Sequence, residues 1–179
     1  ELPITENHPL RPEDGYGLSK IAAEEVAAGV ARRHGVPVTV PDWGPMDRVA
    51  ERVDAPVERV SGPIAGFELR RVDPLPGWTE AVAVRDETVY VPDLLSATPS
   101  STVGPERAGL FLLARLWPPR DALGDLDPDR LLFGHGTGVH ADADVALDDA
   151  IDGARRRFPR ALLSTGPAQV RGLLGALRG

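Results

Sequence analysis

The stretch FELRRVDPLPGWTEAVAVRDETVYVP, residues 67–92, has the clearest strand pattern in the chain. Short runs of β-branched and apolar residues alternate with polar ones, which predicts strands at 67–72, 80–85 and 88–92. Asp86 and Glu87 separate the last two runs by the length of a hairpin turn. The centre of the chain therefore predicts a group of short strands that contains a hairpin.

Helical patterns stand on both sides of this group. Residues 16–34 are rich in Ala and Glu with apolar residues at helical spacing, and Gly35 follows where a C-terminal cap belongs. The other expected elements are a strand at 36–40, a helix at 46–52, a strand at 57–60, a loop at 96–105, a helix at 106–116, an irregular crossing at 117–129, a strand at 130–133 and a last helix at 168–177. A further helix from Ala141 opens with acids and closes with Arg155, Arg156 and Arg157, the charge order that a helix dipole favours. This order predicts an α/β (α+β layered) fold, a mixed sheet flanked by helices in a single domain of residues 1–179.

Composition excludes several classes of function. The 179 residues are 42% hydrophobic and 26% charged, with a net charge of −7 and no cysteine. The negative charge argues against a nucleic-acid partner, and the lack of cysteine excludes disulfides and thiolate metal sites. No apolar run approaches the ~20 residues that cross a bilayer, and residue 1 begins no hydrophobic leader, so we expect a cytoplasmic protein without a membrane partner.

Tyr16 and Lys20 form the first candidate site. Four residues apart on a helix, they share a face, where an ammonium group favours the phenolate and lets the Tyr exchange protons. The surrounding segment, PITENHPLRPEDGYGLSKIAAEE, resembles the Tyr-x-x-x-Lys region of the extended short-chain dehydrogenases, the NAD-dependent sugar epimerases and dehydratases. The resemblance, over residues 1–40, implies catalytic roles for Tyr16 and Lys20 and a contact of Lys20 with NAD. The alternative is a solvated pair on an amphipathic helix.

NAD binding in that family needs a Gly-rich turn in an N-terminal βαβ unit. No such turn occurs in the chain. We therefore expect NAD only if a further N-terminal half exists.

Three later segments resemble, in order, the later half of a metallo-β-lactamase-fold hydrolase. They are PLPGWTEAVAV at 74–84, VYVPDLL at 89–95 and LLFGHGTGV at 131–139. The resemblance spans about residues 36–165 and implies a partial sandwich of that fold. It implies that Asp93 is the aspartate that bridges two metals and that His135 is a late metal-binding histidine. Ordinary structural roles for both residues are the alternative.

The implied ligand set is incomplete. Trp78 stands where the family has a histidine, and an indole offers only an N–H donor. The H-x-H-x-D-H signature is missing, since the four histidines are His8, His34, His135 and His140. His140, with Asp142 or Asp144, is the candidate for a third ligand, although capping or solvated roles are more usual there. We expect no bound cofactor, with zinc or another divalent metal as the alternative.

The leading hypothesis is thus a degenerate or truncated metallo-β-lactamase-like domain with little or no intrinsic hydrolase activity. One alternative is a remnant of an NAD-dependent epimerase or dehydratase that uses Tyr16 and Lys20. Another is a noncatalytic interaction module that forms homo-oligomers through exposed sheet edges. The sequence names no substrate.

Overall fold

The structure is a computed structural model that describes residues 29–30, 33–44, 46–53 and 55–167. The described residues before Ala65 belong to one compact unit, and those from Ala65 onward belong to another. Tyr16, Lys20 and the helix expected at 168–177 lie outside the described residues. The single-domain assignment stays a prediction.

The first unit holds a small parallel sheet. Strand β1 (Val38–Pro41) pairs in parallel with β2 (Val57–Val60), and helix α1 (Met46–Arg52) lies between them in the chain. These three elements confirm the predicted strand, helix and strand. Before β1, the described residues 29–30 and 33–34 are helical, and Gly35 takes a φ of 61°. The left-handed turn expected of a helix-ending glycine is therefore present.

The second unit is built on a mixed sheet. Its elements are β3 (Glu68–Leu75), β4 (Trp78–Arg85), β5 (Thr88–Val91), β6 (Leu95–Ser96), β7 (Gly109–Leu110), a 3₁₀ turn (Leu113–Arg115), α2 (Arg120–Leu123), β8 (Arg130–Phe133), α3 (Ala143–Asp152) and α4 (Ala154–Ser164). The main sheet has the order β3-β4-β5-β8, with antiparallel pairs except for the parallel pair β5–β8. The general α/β class with a mixed sheet is confirmed.

The core of this unit lies between the sheet and α3. Val82, Val91 and Leu131 are fully buried in the sheet, and α3 turns Leu147 and Ala150 into the same cluster. Alternate residues of a strand share a face, so each strand gives this cluster one of its two faces. No described helix is long and apolar enough to cross a membrane.

The helix predicted at 106–116 is wrong. Residues 109–110 instead form β7, antiparallel to β6, and only Leu113–Arg115 are helical, as a 3₁₀ turn. Within this segment Glu106 and Arg115 form a buried ion pair at 2.7 Å. Nine residues of α-helix would separate the two side chains by about 13.5 Å along the axis. The pair therefore requires the chain to fold back, which the apolar run alone does not reveal.

The single helix predicted from Ala141 is also wrong. It is two helices, α3 and α4, that meet at Gly153, so Arg155, Arg156 and Arg157 begin α4 rather than end a helix. The Arg157 side chain crosses back over Gly153 and donates from Nη1 to the Asp149 carbonyl at 2.8 Å. A Cβ at Gly153 would lie 2.6 Å from Arg157 Cζ. The glycine thus makes room for an arginine whose charge is used by specific partners, not by a helix dipole.

Candidate functional site

Asp93 and His135 meet at the carboxyl ends of neighbouring parallel strands. The pairing of β5 with β8 ends at Val91 opposite Phe133, and Asp93 and His135 each stand two positions beyond the end of that pairing. His135 Nε2 lies 2.9 Å from Asp93 Oδ1, although 42 residues separate them in the chain. An ionised carboxylate only accepts hydrogen bonds, so Nε2 carries the proton and donates. The structure thus brings together the two residues that the hydrolase resemblance singled out.

Two glycines hold His135 against the segment that carries Asp93. A Cβ at Gly134 would lie 2.5 Å from the Pro92 carbonyl oxygen, and one at Gly136 would lie 2.8 Å from the Ala97 carbonyl carbon. Gly134 also donates its N–H to the Pro92 carbonyl at 2.9 Å, and Ala97 donates to the His135 carbonyl at 3.3 Å. Only residues without a side chain permit these approaches. The glycines on both sides of His135 therefore set its distance from Asp93.

The Glu80 side chain holds the backbone of Asp93 by hydrogen bonds. The antiparallel pairing Ala83↔Tyr90, continued by three residues, places Glu80 opposite Asp93. Glu80 Oε1 accepts the N–H groups of Asp93 at 3.1 Å and Leu94 at 3.0 Å. The residue is only 5% exposed. Glu80 thereby fixes the turn from which the Asp93 side chain reaches His135.

Burial raises the pKa of the Glu80 carboxyl, and the nearby Asp93 carboxylate raises it further. The two amide donors act in the opposite direction, since they favour the charged form. Glu80 Oε2 is buried and finds no hydrogen-bond partner in the described part of the chain. A carboxyl in these surroundings binds its proton more tightly than a solvated one.

Trp78 does not face a ligand but packs on another ring. Its indole meets Phe111 edge to face, with 5.2 Å between ring centroids and 89° between planes. The N–H of Phe111 donates to the Leu94 carbonyl at 2.9 Å, so this aromatic pair lies beside the Asp93 segment. Position 78 therefore contributes packing where the resemblance would require a metal ligand.

Among the described residues, the surroundings of Asp93 and His135 do not fit a catalytic zinc or a two-metal centre, which needs about three protein ligands or more. The described residues contain no group of three or more His, Asp or Glu side chains placed to hold one ion. His140, Asp142 and Asp144 line a separate polar cleft of about 400 Å³. They supply no third ligand to Asp93 and His135. Tyr16 and Lys20 lie outside the described residues, so the NAD hypothesis stays a prediction.

Glu80 is the residue that sequence reasoning missed. In WTEAVAVR it shares the inward face of β4 with Val82 and Val84 by alternation, and Val82 is fully buried. A carboxyl on an apolar face is the signal that could have found it, because buried acids need partners. Its partners, two backbone amides beyond the hairpin, become visible only with the strand register.

A scan against protein family models and a search of curated proteins both find no match to the chain.

Proposed function

We propose that this chain is a metallo-β-lactamase-like domain whose metal centre is incomplete, and that it has little or no intrinsic hydrolase activity. The observation that carries the proposal is the direct contact of Asp93 with His135 at the carboxyl ends of β5 and β8. Ligands and catalytic groups in open α/β sheets gather at this edge. The general α/β class with a mixed sheet supports the proposal.

The loss of activity follows from the neighbours of the pair. The Trp78 ring is committed to Phe111. The atoms that would bind a metal are also bonded to each other, because His135 Nε2 donates to Asp93 Oδ1. A zinc ion would have to displace that contact and would gain only two protein ligands from the described part of the chain, too few to fix a metal and activate water.

Metal content tests this proposal. The purified protein is incubated with zinc, manganese and iron in turn, dialysed, and measured by elemental analysis alongside a hydrolysis assay with chromogenic ester and phosphodiester probes. We expect far less than one ion per chain and hydrolysis at the rate of the buffer. One or two ions per chain, lost in Asp93→Ala and in His135→Ala, would overturn the proposal.

His34→Ala is the matched control for that experiment. His34 is an exposed histidine outside the candidate ligand set, so its removal changes general histidine affinity without touching Asp93. Metal lost equally in His34→Ala and His135→Ala would indicate weak surface binding rather than a site.

A second candidate is a noncatalytic interaction module. In the described part of the chain, β3 pairs with β4 only, which leaves the other edge of β3 without a ladder partner there. Such an edge can accept a strand of another chain. Sedimentation over a hundredfold range of concentration tests this role: a mass that rises with concentration supports it, and a constant monomer mass contradicts it.

A further inference from the structure

A polar cleft lies in the second unit between the loop at 102–107 and the loop at 137–141. Its volume is about 470 Å³, within the range that small-molecule sites occupy. Arg107, Thr137 and His140 line it together with Glu106. We call it the Arg107 cleft. No residue of the Asp93–His135 pair belongs to it.

Arg107 brings a positive charge whose ion-pair partner among the described residues, Asp142, lies at the long distance of 4.0 Å. Its guanidinium donates to the backbone carbonyls of Ala141 and Asp142, which are neutral groups. The nearest carboxylate oxygen in an ion pair, on Asp142, is 4.0 Å away, whereas Arg115 lies 2.7 Å from Glu106. A guanidinium has five N–H groups, so three remain after these two carbonyls. The side chain is also 46% exposed.

The one carboxylate that lines the cleft is itself compensated. Glu106 accepts from Arg115 at 2.8 Å and 2.7 Å, from Arg157 at 3.3 Å and from the Val103 N–H at 2.7 Å. The guanidinium groups of Arg115 and Arg157 thus both contact the Glu106 carboxylate. Arg157 pairs in turn with Asp149 at 2.5 Å. The charge that faces a ligand is therefore that of Arg107.

His140 is folded toward the same space. A Cβ at Gly138 would lie 2.9 Å from His140 Nε2 and 2.8 Å from Leu132 Cδ2, so the imidazole lies directly beside Gly138. An imidazole N–H of His140, the hydroxyl of Thr137 and the guanidinium of Arg107 give the cleft hydrogen-bond donors of three kinds. Hydrogen-bond donors around an exposed arginine whose ion pair is long are the chemistry that recognises an oxyanion.

We propose that the Arg107 cleft binds the oxyanion group of a small molecule, a phosphate or a carboxylate. Arg107 supplies the charge and Thr137 and His140 supply further donors. The site is independent of the proposed loss of hydrolase activity, because it uses none of the same residues. The net charge of −7 repels anions from the chain in general, so the positive charge of Arg107 is what would attract an anion to this cleft.

Isothermal titration with inorganic phosphate, and separately with acetate, tests the site. We expect saturable binding of at least one of the two, and the arm that binds identifies the source of the oxyanion. In Arg107→Gln the dissociation constant should rise at least about tenfold, because a charge-assisted contact is lost. Arg71→Gln removes the same charge from an exposed ion pair with Asp73 on β3 and should leave binding unchanged.

Arg107 also ties two loops together, so a second variant separates binding from loop structure. Thr137→Val keeps the shape of an exposed side chain and removes only its hydroxyl; we expect about threefold weaker binding with an unchanged unfolding midpoint. No saturable binding of either anion, or equal binding by the wild type and Arg107→Gln, would overturn the proposal. Equal weakening in Arg107→Gln and Arg71→Gln would overturn it too, since it would show a nonspecific charge effect.

Discussion

Replacing Arg115 with Met should destabilise the protein more than any substitution of an exposed arginine. Arg115 is fully buried and makes four hydrogen bonds: two to Glu106 at 2.8 Å and 2.7 Å, one to the Ser101 carbonyl at 2.6 Å and one to the Leu110 carbonyl at 3.1 Å. Met fills similar space but leaves the Glu106 carboxylate in the interior with Arg157 at 3.3 Å as its remaining cation among the described residues. Breaking a buried ion pair from one side costs about 3–5 kcal/mol.

Urea denaturation followed by tryptophan fluorescence measures this cost. Arg71→Met is the control, because Arg71 pairs with Asp73 at the surface and its loss should cost less than about 1 kcal/mol. The double variant Glu106→Gln/Arg115→Met should be destabilised by less than the sum of the two single variants, since the second change removes the stranded charge. If Arg115→Met lowers the free energy of unfolding by less than about 1 kcal/mol, the ion pair between Arg115 and Glu106 does not stabilise the fold, and the prediction is wrong.

Three further substitutions test the site and the core. Because the pKa of Glu80 is raised, its contribution to stability is complete below the unfolded-state pKa and is lost as pH rises through the raised folded-state pKa. Glu80→Gln cannot titrate, so its stability relative to the wild type should increase across that window, and a pH-independent difference in urea midpoints would contradict this. Gly134→Ala should cost about 1–3 kcal/mol by the clash with the Pro92 carbonyl, whereas Gly29→Ala, which meets no described residue within 4 Å, should not destabilise in the same assay. Leu131→Ala, in the fully buried centre of β8, should lower the free energy of unfolding by about 2–5 kcal/mol, and a smaller loss in chemical denaturation would place Leu131 outside the core.

The elements that the sequence predicted well are those in which a local pattern is sufficient. Strands β4 and β5 follow from alternation and from the break at Asp86, where a φ of 51° provides the turn. Helix α1 and strand β8 have the predicted bounds. In these elements the side-chain period and the turn residues agree, so no distant contact is needed to select the structure.

The elements that the sequence predicted wrongly are selected by distant contacts. The segment 106–116 has the apolar content of a helix, yet the Glu106–Arg115 pair and the pairing of Gly109 with Ser96 determine its path. Periodicity cannot separate a buried helix from a buried irregular segment of this length. The break at Gly153 also accompanies a specific contact, because the Arg157 side chain passes over Gly153 and donates to the Asp149 carbonyl.

The hydrolase resemblance pointed to Asp93 and His135, but their direct contact could not be derived from the sequence. Neither residue type nor spacing joins two side chains 42 residues apart; the parallel register of β5 and β8 does. The two glycines that flank His135 are the feature of the local sequence that reflects this arrangement, since both lie so close to neighbouring backbone that a side chain would clash. Glu80 holds the same turn from the opposite strand. These contacts fix the backbone around Asp93 and His135, so they would hold the two side chains together even if the pair has no catalytic use. The geometry of the pair is therefore no evidence of activity, and metal content must be measured directly.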